Sequence, residues 1–210
     1  MRPATKTLVV ATKNRGKARE FSALFEPLGW EVRSLNDYDR FPDIVEDGDT
    51  FAANALIKAR AVVAALGVPA LADDSGLCVD ALDGAPGVYS ARYAGEPADD
   101  AANNAKLIAE LKRRGALLAP AEAGRPALLS AARFVCALAY AEPGGRVRTA
   151  EGVCAGAIVA DARGANGFGY DPHFYLPEFG LTMAELTAEQ KNAVSHRAQA
   201  LRQMISFWEE

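Results

Sequence analysis

Phe21, Leu24, Phe25 and Leu28 recur at i, i+3, i+4 and i+7, behind a short apolar run from Thr7 to Ala11 and a polar turn. That pattern describes a buried strand, a tight turn and an amphipathic helix. Gly29 stops the helix, and Trp30 to Leu35 reads as a second strand. Strand, helix and strand at this spacing commit the chain to a sheet with helices laid against it. A second helix is predicted from Asp49 or Thr50, either of which can cap it, to Leu66, with Phe51, Ala55, Val62 and Leu66 inward. Gly67 and Pro69 stop it. A third helix is predicted from about Asp100 to Arg113, burying Leu107, Ile108 and Leu111.

The remaining strand signals lie further along. Ala70 to Val79 reads as a strand interrupted by Asp73-Asp74-Ser75-Gly76. Arg133 to Ala141, Val147 to Thr149 and Val153 to Ala160 read as three more, with Pro143-Gly144-Gly145 turning between the first two. Gly115 to Ser130, rich in Ala, Pro and Gly, reads as a surface connection, and Gly164 to Asp171 as a glycine-rich loop. At the end, Ala198, Leu201, Ile205 and Trp208 share one helical face. Either Ser195 caps a final helix, or one helix runs from Thr187 through Trp208 with Thr187 and Gln190 as a capping box. The expected class is α/β, a mixed sheet with surrounding helices, over 210 residues that suit one domain, with two lobes at most.

Composition excludes several functions. Half of the chain is apolar and 24% charged, unlike a disordered chain. Apolar stretches such as Leu8 to Ala11 and Phe134 to Ala141 fall far short of the roughly 18 residues of a membrane span. The apolar run after Lys6 is too brief for the core of a signal peptide. Cys78, Cys136 and Cys154 form no CxxC and sit in apolar runs, so buried thiols in a reducing cytoplasm are expected. A net charge of -4 argues against non-specific nucleic-acid binding. That total hides a layout, because residues 1–35 are net basic and residues 36–100 strongly acidic.

Five constellations carry chemistry. Thr12-Lys13-Asn14-Arg15-Gly16-Lys17 joins a strand to a helix start, where backbone N–H groups, a hydroxyl and cations suit a phosphate. It lacks Walker A spacing, and a capped turn with exposed lysines explains it equally. Glu46, near Asp47 and Asp49, precedes a helix with Asn54 and Lys58 on one face. There a metal carboxylate and an ammonium can meet, although an acidic run complementing the helix dipole is the plainer explanation. Asp73 and Asp74 interrupt an apolar run, and buried carboxylates must be paired or metal-bound. An exposed Asp-Ser-Gly turn is the plain alternative. Gly167-Phe168-Gly169-Tyr170-Asp171-Pro172 offers an aromatic face between glycines and a carboxylate for a base or sugar edge. Lys191 and Ser195-His196-Arg197 add donors near a helix start, while His173 reads as structural.

Taken in order, these segments resemble the inosine triphosphate/dITP–XTP pyrophosphatase family. The matching blocks are Thr12-x-Asn14-x-x-Lys17; Glu46 with Thr50-Phe51-x-x-Asn54-Ala55-x-x-Lys58-Ala59; and Ala72-Asp73-Asp74-Ser75-Gly76-Leu77. Gly84-Ala85-Pro86-Gly87-Val88-Tyr89-Ser90-Ala91-Arg92-Tyr93, the Gly167 to Pro172 loop, and Lys191 with Ser195-His196-Arg197 complete them. The resemblance implies an elongated two-lobed α/β fold with its site in the cleft, and Mg²⁺-dependent hydrolysis of ITP, dITP and XTP to monophosphate and pyrophosphate. It also implies a homodimer and a role in keeping deaminated purines out of DNA and RNA. By the same resemblance, Thr12 to Lys17 hold the triphosphate, Glu46 and Asp74 bind the metal, and Asp74 activates water, with Asp73 beside it. Lys17 and Lys58 offset charge on the departing pyrophosphate. Asn54, Ser75, Phe168, Gly169, Tyr170, Asp171, Lys191, His196 and Arg197 contact the nucleotide, His196 and Arg197 as donors to the 6-oxygen of the base. Two other functions compete: hydrolysis of modified pyrimidine or methylated nucleotides by a related fold, and nucleotide sensing or RNA binding without catalysis. The Ser-His-Arg and Gly-Phe-Gly-Tyr-Asp blocks argue against the first, and the intact carboxylate and lysine set against the second.

Overall fold

The computed structural model describes residues 6–122 and 124–207. The chain forms two compact units. The first contains Met1–Asp74, Cys136–Gly152 and Arg197–Glu210, and the second Ser75–Val135 and Val153–His196.

In the first unit, β1 (Lys6–Val10) runs parallel to β2 (Trp30–Ser34) and to β3 (Ala70–Val79). Between β1 and β2 lies α1 (Arg15–Phe25), and between β2 and β3 lies α2 (Phe51–Leu66). Alternation along β1 places its side chains on opposite faces. Leu8 and Val10 pack with Phe21 and Phe25 of α1 and with Leu201 and Met204 of α5 (His196–Ser206). Val9 and Ala11 pack with Ala55, Ala59 and Val62 of α2 and with Ala70, Ala72, Ala137 and Ala139. β1 is therefore buried on both faces, as a parallel strand requires. Thr50 is the cap of α2, its hydroxyl accepting from the Ala53 N–H at 3.1 Å.

The second unit is built around α3 (Asp100–Arg113), whose Leu107, Ile108 and Leu111 are buried as their periodicity predicts. They join a core with Leu77, Val79, Phe134, Ile158 and Phe174. β4 (Leu128–Ala141) and β5 (Val147–Val159) each have residues in both units, and the turn between them, closed by Glu142 N–H and the Arg146 carbonyl, belongs to the first. β5 pairs antiparallel with β6 (Phe174–Leu176), and β6 with β7 (Leu181–Thr182). Seven strands are hydrogen-bonded neighbours in the order β2-β1-β3-β4-β5-β6-β7, a mixed sheet of the expected class.

Three expectations change, and two short strands are new. β3 is not interrupted: Asp73 and Asp74 lie within the continuous strand and are buried, because cations meet them there. β5 is one strand rather than two, since Glu151 simply falls on its exposed side. β6 and β7, of three and two residues, are too short for a periodic signal. The C-terminal alternatives are both partly correct. Thr187 and Gln190 form the capping box of α4 (Ala188–Val194), and Ser195, in extended backbone, separates it from α5. Ala198 and Leu201 are buried as expected, whereas Trp208 lies outside the described residues. All three cysteines are buried.

Candidate active site

Neighbouring residues of a strand point to opposite faces, so Asp73 and Asp74 meet different partners. Asp73 is 1% exposed. Its Oδ1 lies 2.9 Å from Lys17 Nζ, and its Oδ2 accepts from Arg197 Nε at 3.3 Å and Nη2 at 3.1 Å. Arg197, buried against the Phe21 ring, also binds Glu20 through Nη1. Burial pushes the Asp73 carboxyl up, but Lys17, Arg197 and Lys58 outweigh it and hold the group well below the ordinary carboxylate range. Burial also works against charge on Arg197, and Asp73 and Glu20 overcome it, so its pKa rises.

Asp74 has the opposite balance. Its Oδ1 accepts from Lys58 Nζ at 3.1 Å and its Oδ2 from Asn54 Nδ2 at 3.2 Å. Burial dominates over the attraction of Lys58 and Lys17, so this carboxyl is raised. Two adjacent carboxylates thus have their pKa values driven apart, which suits one to accept a proton and the other to stay a fixed anion. Lys58 Nζ also lies 2.6 Å from Glu46 Oε2, bridging Glu46 and Asp74. Burial lowers the Lys58 pKa, but Asp74, Asp73 and Glu46 raise it overall. Asn54 completes the arrangement by accepting from the Gly48 N–H at 2.8 Å through Oδ1. A Cβ at Gly48 would come within 2.8 Å of that same oxygen, so only glycine lets the acidic loop approach α2 this closely.

The Thr12 to Lys17 segment is the expected strand-to-helix turn. Thr12 is buried and its Oγ1 accepts from the Asn14 N–H at 3.1 Å; Asn14 Oδ1 accepts from the Lys17 N–H at 3.0 Å. Lys17 reaches inward to Asp73, while Arg15 is exposed and Gly16 half-buried in the first turn of α1. Lys13, expected in the phosphate cradle, instead pairs at the surface with Asp43 at 2.6 Å.

In the second unit, Asp171 is 3% exposed, and its Oδ2 accepts from the Phe168 N–H at 2.9 Å and from Lys191 Nζ at 2.6 Å. Lys191 Nζ also sits 4.8 Å from the centre of the Phe168 ring. Gly167 is required here: its φ is +76°, and a Cβ would fall 2.0 Å from Asp171 Oδ2. Asp171, expected to meet a base or sugar edge, uses this oxygen to organise its own loop. Tyr170 donates its hydroxyl proton to the Ser90 carbonyl at 2.8 Å. His196 is buried, its ring stacked 4.9 Å from that of Phe134. His173 Nδ1 lies 2.9 Å from the Val159 carbonyl oxygen, in line with a structural role. Ser75 is half-buried, directly after Asp74 on β3.

Arg197 is expected, by the resemblance, to donate to the base. The structure commits its guanidinium to Asp73 and Glu20, because a buried guanidinium needs anions and these are at hand. Glu20 belongs to no matched motif, yet it lies three residues from Lys17 on α1 and shares its face. Among the described residues, no group of three His, Cys, Asp or Glu side chains is placed to hold a metal.

The chain is similar to known proteins over nearly its whole length. The chain is 54% identical over 205 residues to a dITP/XTP pyrophosphatase of Geobacillus kaustophilus, covering 98% of this chain and 95% of that one. It is 52% identical over 200 residues to a dITP/XTP pyrophosphatase of Desulforamulus reducens, covering 95% and 94%. Among solved structures, the Staphylococcus aureus Ham1 protein superposes with a TM-score of 0.78 at 39% identity, covering 97% and 98%. The nucleoside-triphosphatase / dITP/XTP pyrophosphatase of Mycobacterium abscessus does so with a TM-score of 0.69 at 43% identity, covering 94% and 98%. The profile of the Ham1 family matches residues 8–207, and the chain belongs to that family.

Proposed function

We propose that this chain hydrolyses the deaminated purine nucleoside triphosphates ITP, dITP and XTP, with dXTP, to the nucleoside monophosphate and pyrophosphate. It acts in the cytoplasm, as a homodimer and without binding nucleic acid, and so keeps these bases out of DNA and RNA. The observation that carries this reading is the split pair: Asp74 raised and in contact with Lys58, beside Asp73 held ionised by Lys17 and Arg197. The relatives named dITP/XTP pyrophosphatase support the substrate class.

The water that attacks the α-phosphorus gives its proton to Asp74, the carboxyl whose surroundings favour the neutral form. The new bond joins that oxygen to the α-phosphorus, and the bond from the α-phosphorus to the bridging oxygen breaks, releasing pyrophosphate. Lys17 and Lys58 meet the charge that grows on the leaving group. Asp73 fixes the direction of Lys17, and Arg197 with Glu20 fixes Asp73. The phosphates lie along Thr12, Asn14 and the first turn of α1. Glu46 and Asp74 suit Mg²⁺: they are hard oxygen donors already bridged by a cation, the Lys58 ammonium, at 2.6 and 3.1 Å. Bound Mg²⁺ would neutralise phosphate charge there. Base choice falls to Phe168, Tyr170, Lys191 and His196. Hypoxanthine and xanthine present a 6-oxygen acceptor where adenine presents a donor, and a site of buried donors discriminates by about 10⁴-fold or more.

Pyrophosphate release is measured from ITP, dITP, XTP, dATP, dGTP, dCTP and dUTP, with Mg²⁺ and with EDTA. Release confined to the deaminated purines and abolished by EDTA is expected. No release from any of them, or a preference for dCTP or dUTP, refutes the assignment.

A further inference from the structure

Phe168 lies between two glycines, and its N–H donates to Asp171 within the same loop at 2.9 Å. Gly169, the next residue, is held from outside the loop. The hold comes from α3. Asp100 Oδ2 accepts from the Gly169 N–H at 2.7 Å, and Asn104 Nδ2 donates to the Gly169 carbonyl at 2.9 Å. Side chains one helical turn apart thus grip both main-chain polar groups of a single residue. The next residue is tied as well, through the Tyr170 hydroxyl to Ser90. From the same turn of α3, Asn103 fixes the segment that carries Ser90. It accepts from the Ala94 N–H at 2.7 Å and donates to the Ala91 carbonyl at 3.0 Å.

The helix does not need these contacts for itself. Asp99 is its cap, with Oδ1 accepting from the Ala102 N–H at 2.7 Å. Asn104 uses its other amide proton on the Asp100 carbonyl at 2.9 Å, which leaves its Oδ1 buried with no hydrogen-bond partner among the described residues. An unpaired buried acceptor is destabilising, and such a group is tolerated where it serves something other than stability.

We infer that Asp100 and Asn104 are positioning residues for base recognition, setting the pose of Phe168-Gly169-Tyr170-Asp171 through Gly169. The inference rests on the pyrophosphatase reading. Pyrophosphate release from dITP is followed at steady state for wild type, Asp100→Ala, Asp100→Asn and Asn104→Ala, alongside thermal melts. Asp100→Ala and Asn104→Ala should each raise KM about tenfold, the effect of one lost charge-assisted or well-placed hydrogen bond, with kcat within about twofold. Asp100→Asn keeps an acceptor oxygen and should restore KM to within about threefold of wild type. Asp100 is exposed and is not the cap, so its Ala and Asn variants carry the test if Asn104→Ala does not fold. Unmoved KM in both alanine variants, equal losses in kcat and KM, or an Asp100→Asn enzyme as impaired as Asp100→Ala overturns the positioning role alone. Inactive wild-type protein overturns the pyrophosphatase reading and this inference with it.

Discussion

Replacing Asp73 by Asn removes the anion that holds two inward-facing cations, and replacing Asp74 by Asn removes only a carboxyl that burial already disfavours. In Asp73→Asn the Arg197 side chain, 1% exposed, keeps Glu20 but loses the carboxylate that its Nε and Nη2 address. Lys17, 15% exposed, loses its partner too. Breaking a buried ion pair from one side costs about 3–5 kcal/mol. For a chain of this size that lowers the melting temperature by on the order of 10 °C. In Asp74→Asn, Lys58 retains Glu46 at 2.6 Å and the amide can still meet Asn54, so stability should stay within about 1 kcal/mol of wild type. Its kcat should nevertheless fall by about 10²–10⁴, the worth of a general base. Paired thermal melts and pyrophosphate assays on the two variants read both quantities. Equal melting temperatures for the two, or near wild-type turnover in Asp74→Asn, would refute the division of labour.

Acid should erase the stability gap between wild type and Asp73→Asn. The folded Asp73 pKa lies below its ordinary value of 3.8, so its contribution is fully present above that pH and is lost as pH falls toward the folded value. Melts from pH 7 down to pH 3 should show the gap narrowing below about pH 4. Asp74 is shifted the other way, so the acid limb of kcat/KM should lie above 3.8; a limb at or below that value removes Asp74 as the base. Gly167→Ala puts a Cβ 2.0 Å from Asp171 Oδ2 at a φ of +76°, so it should raise KM for dITP well before it abolishes folding. An unchanged KM in a folded Gly167→Ala enzyme contradicts the role given to that loop.

Much of this was legible because period and chemistry coincide in the sequence. Leu107, Ile108 and Leu111 repeat at helical spacing and are buried; Thr50 sits where a cap belongs and caps. Asp73 and Asp74 within an apolar run pointed to paired, buried carboxylates, with an exposed turn as the alternative. The direction of long side chains was not legible. Lys13 and Lys17 are alike on paper, yet one pairs with Asp43 at the surface and the other with buried Asp73. Arg197 lies far from Glu20 and Asp73 in sequence, and no local pattern reports that three-way contact. No motif marks Asp100 and Asn104, because their target, the Gly169 backbone, leaves no side-chain signal. β6 and β7 are too brief to show a period at all.

The alanines where α2 meets the sheet have a consequence beyond filling space. Ala55 and Ala59 of α2 face Ala70 and Ala72 of β3, and all four are fully buried. Asn54 and Lys58 precede the first two by one residue each, so the thickness of this contact sets how far their side chains must reach to Asp74. A methyl-to-methyl contact is a short spacer, and an interior packed to crystal density does not stretch to absorb a larger one. A valine at Ala55 or Ala59 would therefore push the helix away from the strand by a fraction of an ångström and lengthen the hydrogen bonds of 3.1 and 3.2 Å to Asp74. The small side chains of this layer act as a gauge block, holding the amide and the ammonium at their working distance from the carboxylate.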